Sequence, residues 1–240
     1  MTEDDFRIFA KYYDQIYLKW KDYKGESEVI KKKIIKELGK SSRTLLDVGC
    51  GTGEHLRYLS RDFKCKGIDI NKEMIGIAKT KVKDAKFEVR DMIDFELKEK
   101  FDVVACLFSS IGYVRHFRNL ARTLKNFNKH LNKHGLVIVE SWVFKKDFRK
   151  RNYRIDTYED EQIKLARMGT SRLTASQWLV HFHYLIGTEG EIKHVKETHR
   201  MLAADYEDYV KAFRLAGFDD IRFLDKDLWT QCRGLFVAVK

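Results

Sequence analysis

The run Asp47-Val48-Gly49-Cys50-Gly51-Thr52-Gly53 sets glycines at alternate positions, the first of them two residues after an acid. Glycine lets a backbone turn sharply and approach a ligand with no Cβ in the way. The spacing is G-x-G-x-G, whereas a dinucleotide fingerprint reads G-x-G-x-x-G beside a pyrophosphate. A carboxylate at Asp47 would repel a pyrophosphate and suits a cation. Taken alone, the turn also fits a dinucleotide site or a loop that binds nothing. Two further acids narrow the reading. Asp69 ends the next apolar run, where a carboxylate can accept both hydroxyls of a ribose. Asp91 follows a third run, placed to accept from an adenine amino group, with the Met92 N–H free to bind the ring. Three strand ends delivering these groups in this order describe a nucleoside site with a cationic appendage.

The elements that must carry these residues alternate along the chain. An aromatic face at helical spacing, Phe6, Phe9, Tyr13, Ile16, Tyr17 and Trp20, predicts a helix over Asp4 to Trp20. A second helix is predicted over about Glu26 to Leu38, closed by Gly39. Strands are predicted at Arg43–Val48, Lys64–Ile70, Phe87–Val89, Phe101–Leu107 and Leu136–Glu140, with a helix capped by Asn71 and another over His116–Leu131. The fourth strand is nearly all apolar, as a parallel strand buried on both faces must be. After Trp142 the pattern changes to three strands, Gln162–Arg167, Gln177–Ile186 and Ile192–Met201, with turns near Gly169 and at Gly187–Gly190. These predict a small antiparallel sheet. A helix over Asp205–Ala216 and strands at Ile221–Leu224 and Leu235–Val239 then complete an α/β sheet, the last two pairing as an antiparallel hairpin at its edge.

At 240 residues the chain is expected to be one domain, with N-terminal helices over 1–40, a core of 41–144 and 203–240, and the inserted sheet over about 145–202. Charged residues make up 35% and apolar ones 44%, which excludes a disordered chain. No apolar run reaches membrane-spanning length, and Met1–Asp5 is too charged for a signal peptide. Cys50, Cys65, Cys106 and Cys232 lack metal or redox spacing and read as reduced thiols of a cytoplasmic protein. A net charge of +11 invites an anionic partner, either a phosphate-bearing small molecule or nucleic acid. The densest basic patch, with interleaved aromatics, is Phe144 to Arg154.

The D-V-G-C-G-T-G run resembles the first motif of the class I S-adenosylmethionine-dependent methyltransferases. The likeness narrows along the chain: Y-D-x-x-Y at Tyr13–Tyr17, K-D-Y at Lys21–Tyr23, D-M-x-D-F at Asp91–Phe95, F-S-S-I-G-Y at Phe108–Tyr113, E-x-W at Glu140–Trp142 and R-G-L-F at Arg233–Phe236. Together these resemble the sugar N,N-dimethyltransferases that act on dTDP-amino sugars. The resemblance implies a Rossmann-like class I sheet with a C-terminal antiparallel hairpin and an inserted antiparallel sheet. It also implies S-adenosylmethionine held by Tyr13, Tyr23, Asp47, Gly49, Cys50, Gly51, Gly53, Asp69, Ile70, Asp91, Met92 and Leu107. Tyr113 would face the acceptor amine as the catalytic position, with Trp142, His181 and Arg233 on the acceptor. The acceptor half departs from the family pattern at Ser141, Val143 and Ala203-Ala204. A homodimer is compatible with the likeness.

Other readings stay open at this level. An RNA or protein methyltransferase would account for Lys145–Arg154, although a chain without proline excludes any N-P-P-Y motif. A non-catalytic nucleoside-binding protein would account for the departures. His181, His183, His194 and His199 fall on two neighbouring strands, but no acid or cysteine completes a ligand spacing, so no metal is expected. Ser109 and Ser110 lack a His/Asp partner and are not read as nucleophiles.

Overall fold

The computed structural model of the chain describes residues 7–41, 43–148, 154–224 and 234–240. The first helix, α1 (Arg7–Tyr17), is followed by α2 (Tyr23–Leu38). The second begins earlier than its apolar stripe suggests, because the Asp22 side chain accepts from the Gly25 N–H and caps it. Gly39 closes it at φ 74°, its N–H donating to the Ile35 carbonyl.

From there the chain alternates β1 (Thr44–Val48), α3 (Glu54–Leu59), β2 (Lys64–Asp69), α4 (Lys72–Lys81), β3 (Ala85–Val89), β4 (Phe101–Cys106), α5 (Phe117–His130) and β5 (Leu131–Glu140). Strand β5 starts five residues before the expected Leu136, directly at the end of α5. After the antiparallel sheet come α6 (Tyr206–Leu215), β10 (Ile221–Leu224) and β11 (Leu235–Val239). The strand order is β10-β11-β5-β4-β1-β2-β3. Strands β1 to β5 pair in parallel, whereas β11 runs antiparallel to both β5 and β10. The expected edge hairpin is present.

Two hydrophobic layers cover the sheet, and strand alternation assigns residues to them. Leu46, Val104 and Phe236 face α5 and α6, packing on Leu124, Phe127 and Phe213. Their neighbours Leu45, Val103 and Val237 face α2, α3 and α4, packing on Ile34, Leu56 and Ile75. Burial on both faces is why these strands read as unbroken apolar runs rather than as alternating ones.

The smaller sheet has four strands, not three: β6 (Arg154–Glu159), β7 (Lys164–Leu173), β8 (Gln177–Thr188) and β9 (Glu191–Leu202), in that order and all antiparallel. The sequence of β6 has little apolar alternation, so its pairing with β7 supplies what periodicity did not. Gly169 lies within β7 rather than in a turn. The Phe182 ring covers it, and an added Cβ would stand 2.8 Å from that ring. Leu165, Tyr184 and Ile186 of this sheet pack on Ala10, Tyr12, Ile16 and Tyr17 of α1. Helix α1 is thereby sandwiched between the small sheet and the glycine turn. Among the described residues no helix is long and apolar enough to cross a membrane.

Candidate active site

Gly49, Gly51 and Gly53 adopt φ 75°, 55° and 81°, in the left-handed region that favours glycine. The N–H groups of Gly49 and Cys50 both donate to the Ile68 carbonyl, which locks the turn onto β2. Asp69 ends β2 with its carboxylate bound locally: Oδ2 accepts from the Gly51 N–H at 2.9 Å and Oδ1 from the Asn71 N–H at 2.8 Å. Burial pushes its pKa up, against the opposing pull of those backbone bonds. Asn71 in turn caps α4 through the Glu73 and Met74 N–H groups.

A cavity of about 560 Å³ opens where the carboxyl ends of β1–β5 face the small sheet. Gly49, Gly51, Asp69, Ile70, Asp91 and Met92 line one part of it, and Tyr113 and Trp142 another. The Asp91 carboxylate accepts from the Ile93 N–H at 3.0 Å. The aromatic face of α1 closes over the cavity with Tyr13 and Tyr17, and Trp20 joins them from the turn after the helix, where the predicted helix to Trp20 has already ended. A smaller annex of about 30 Å³, lined by Asp47, Cys50, Tyr23 and Leu107 with Tyr13 and Gly51, continues it beneath the turn. Tyr23 donates to the Tyr13 hydroxyl at 3.4 Å, and burial raises both phenol pKa values. Below Tyr23 the buried Glu26 carboxylate accepts from Lys21 at 2.5 Å and pairs with His55 Nε2 at 2.9 Å. Burial raises its pKa, but the bonds from His55 and Lys21 more than offset this and hold it below the usual range.

The F-S-S segment owes its shape to Glu140. Phe108 and Ser109 sit at φ 49° and 59°, a conformation rare outside glycine. The Glu140 carboxylate accepts from the Phe108 N–H at 2.6 Å and from the Ser109 hydroxyl at 3.1 Å. Ser110 donates to the Gly49 carbonyl at 3.1 Å, so this segment and the glycine turn are tied together. The following 3₁₀ turn, Ser110–Val114, delivers Tyr113 to the cavity. Its hydroxyl stands 2.7 Å from Nδ1 of His199, and burial raises its pKa well above the ordinary phenol value.

Not every expected site residue reaches the cavity. Gly53 lines neither part: it begins α3, and an added Cβ would press on Ala78 and Phe87 at 3.3 Å. Its role is helix–sheet packing. His181 is also displaced, because Trp178, Val180 and Phe182 are the β8 residues that face the cavity and a strand alternates faces at every residue. The His181 ring instead meets the Thr198 hydroxyl at 3.0 Å. His199, on β9, takes the place at the cavity wall. His183 Nδ1 and His194 Nε2 share a hydrogen bond at 3.0 Å, with the rings stacked at 5.2 Å. Among the described residues no three His, Cys, Asp or Glu side chains stand together as a metal site. Arg233 and Cys232 lie outside the described residues, as does the 149–153 part of the basic patch.

Sequence reasoning met Glu140 only within E-x-W and His199 only as a pocket or packing histidine, and it did not single out Arg115. Arg115 stands two residues after Tyr113 at φ 66°, lines the cavity, and leaves its Nε buried with no hydrogen-bond partner among the described residues. A non-glycine residue held at positive φ beside a pocket has no signature in a single sequence.

The site fits S-adenosylmethionine on its own terms. Asp47 is 1% exposed and its Oδ1 has no hydrogen-bond partner among the described residues, an expensive state for a carboxylate that a bound cation would relieve. Burial pushes its pKa up to about 7, reinforced by Asp69 and opposed by His55. Gly51 leaves the backbone bare where both cavities meet.

Comparison with known proteins agrees with this geometry. A family model described as a methyltransferase domain matches residues 23–220. The chain is 34% identical to a dTDP-3-amino-3,6-dideoxy-α-D-glucopyranose N,N-dimethyltransferase of Streptomyces fradiae, covering 96% of this chain and 90% of that one. It is 30% identical to the dTDP-3-amino-3,4,6-trideoxy-α-D-glucopyranose N,N-dimethyltransferase of Streptomyces venezuelae, over 96% and 97%. Among solved structures, Streptomyces venezuelae DesVI superposes with a TM-score of 0.87 at 30% identity, covering 96% of this chain and 97% of that one. The S-adenosylmethionine-bound amino pentose methyltransferase CalS10 of Micromonospora echinaspora superposes with a TM-score of 0.84 at 25% identity, over 98% and 97%. The chain belongs to the methyltransferase-domain family, among the sugar N,N-dimethyltransferases, and its cofactor is S-adenosylmethionine.

Proposed function

We propose that the protein transfers a methyl group from S-adenosylmethionine to the amine of a nucleotide-linked amino sugar. The observation that carries this reading is the single cavity running from the Asp69 and Asp91 strand ends to Tyr113 and Trp142. The activities of the relatives from both Streptomyces species support the acceptor class. When bound, the cofactor supplies a methyl group already activated on a sulfonium. Asp47, through the annex, would hold its ammonium; Asp69 would hold the ribose and Asp91 with Met92 the adenine. Helix α1 would cover it with Tyr13 and Tyr17, keeping water out.

What the chain adds to the chemistry is alignment. Tyr113 would hold the amine so that its lone pair faces the methyl, and orientation of that kind supplies roughly 7–11 kcal/mol of a barrier. The acceptor's phosphates need a cation. Arg167 is engaged by Asp156 at 2.6 Å and by the Tyr17 hydroxyl at 3.1 Å, and Arg90 by Glu88 at 2.9 Å. Arg115, with no ion-pair partner among the described residues, is the cavity guanidinium left for a phosphate. Arg233 is the second candidate by family likeness.

The test is turnover with methyl-labelled cofactor against dTDP-amino sugars, dTDP-glucose, total RNA and a protein mixture. Label should enter only the amino sugars. Label in RNA or protein, or in dTDP-glucose, would overturn the acceptor assignment.

A further inference from the structure

The exposed positions of α5 are Arg118, Arg122, Lys125 and Lys129, and each carries a cation. The helix contains no acid. Steps of four, three and four residues place these cations in one stripe along the helix, which at 1.5 Å per residue runs roughly 16 Å. Lys211 of α6 adds a further cation beside the first turn, its Nζ 5.5 Å from the centre of the Phe117 ring. Lys129 pairs with Glu96, whereas Arg118, Arg122 and Lys125 make no ion pair among the described residues. Like charges three and four residues apart cost a helix stability, and nothing on α5 offsets that cost. The other lysine-rich helices differ. On α2, Lys33 pairs with Glu37 at 2.8 Å and Lys31 with Asp62 at 2.7 Å, and on α4 Lys81 holds Asp14 and Glu54.

The stripe begins where the cavity ends. Arg115, His116 and Asn119 line the cavity, and Arg118 lies within the same first turn of α5 as Asn119. The acids of the lining do not cancel this field. Asp69 and Asp91 stand at the strand ends assigned to the cofactor, and Asp156 is engaged by Arg167 at 2.6 Å. That leaves Asp147 against Arg115 and the unpaired cations of α5.

We propose that the α5 stripe is an electrostatic guide that captures the diphosphate of the nucleotide-linked acceptor and delivers it to Arg115 at the cavity. The proposal rests on the acceptor class given above. A surface of one sign that feeds a cleft raises the local concentration of an oppositely charged ligand, and with it the association rate, by about 10–10³-fold. Charges outside the contact act on the encounter, so the stripe governs kon and its salt dependence, while koff belongs to the contacts inside the cavity.

Stopped-flow association of dTDP tests it, read by the fluorescence of Trp20, Trp142 and Trp178 in the cavity lining. Combining Arg118→Gln, Arg122→Gln and Lys125→Gln removes three charges and keeps good helix formers at exposed positions. At about 10 mM salt, where the Debye length is about 30 Å, kon for dTDP should fall at least about tenfold and koff should stay within about twofold. At about 1 M salt, where that length is about 3 Å, variant and wild type should associate within about twofold of each other. S-adenosylhomocysteine, a zwitterion without net charge that enters the same cavity, should associate with the variant at the wild-type rate. An unchanged kon for dTDP in the variant, or an equal loss for S-adenosylhomocysteine, would overturn the proposal. So would a variant that loses poly(U) in filter binding but takes up dTDP at the wild-type rate, because the stripe would then dock nucleic acid. Wild-type protein that binds dTDP with no salt dependence of kon sinks the guide and leaves the acceptor class standing. Wild-type protein that binds S-adenosylhomocysteine but no dTDP sinks the acceptor class, and the guide with it.

Discussion

Asp14 of α1 accepts a hydrogen bond from the Thr52 hydroxyl in the glycine turn, at 2.7 Å and across 38 residues. Its other oxygen pairs with Lys81 of α4 at 2.5 Å, and Lys81 also holds Glu54 at 2.6 Å. One side chain thus fastens the aromatic helix over the cavity to the turn beneath it and to the next helix. Asp14→Ala should release α1 and with it Tyr13 and Tyr17. A charge-assisted hydrogen bond of this kind contributes about 1.5–3 kcal/mol, so calorimetric affinity for S-adenosylhomocysteine should drop at least about tenfold. The sheet core should melt within a few degrees of wild type, because its two hydrophobic layers do not include Asp14. Unchanged cofactor affinity would show that α1 is held by packing alone.

Gly51 combines φ 55° with a place at the junction of both cavities. Gly51→Val puts a β-branched side chain in a strained conformation and into the ligand's space. Binding of S-adenosylhomocysteine should disappear while far-ultraviolet circular dichroism stays unchanged. Retained binding would remove the glycine turn from the cofactor site.

The buried Asp47 makes cofactor binding depend on pH. Its folded pKa is raised, by burial first, to about 7, against about 3.9 for an unfolded aspartate. A raised folded pKa means that the folded state holds the proton more tightly. Asp47 therefore contributes stability below the unfolded pKa and loses it as pH rises through about 7. A cofactor ammonium prefers the ionised carboxylate, so affinity should climb as pH rises through about 7. Asp47→Asn should weaken S-adenosylhomocysteine, flatten the rising limb and make the ligand-free protein more stable at pH 8 than wild type. Melting curves and titrations at several pH values measure both. A rising limb that survives in Asp47→Asn would assign it to another group.

Arg115 is expected to bind the acceptor's phosphates. Arg115→Gln keeps a side chain of similar length and the same backbone demand at φ 66°. It should raise the Kd for a dTDP-sugar at least about tenfold, on the scale of one charge-assisted bond, and leave S-adenosylhomocysteine binding as it is. Equal weakening of both ligands would make Arg115 a structural residue of the 3₁₀ turn.

How far the sequence reaches depends on how local each decision is. The glycine turn, Asp69 at the end of β2 and Asn71 at the start of α4 were legible because their geometry is set within a few residues by φ, hydrogen bonds and caps. The apolar strands β1 and β4 were legible because burial on both faces leaves an unbroken run. By contrast, the exchange of His181 for His199 depended on which face of β8 meets the cavity. A strand alternates faces at every residue, so composition names the two faces and only packing against α1 chooses between them. Tyr113 belongs to a 3₁₀ turn and His199 to β9, and Asp14 and Thr52 to a helix and a turn far apart in sequence. No periodicity links such residues. The sequence by itself determined the cofactor cradle, because that cradle is local backbone geometry; only the tertiary structure decided which side chains face the acceptor, because that follows from strand phase and the docking of the small sheet on α1.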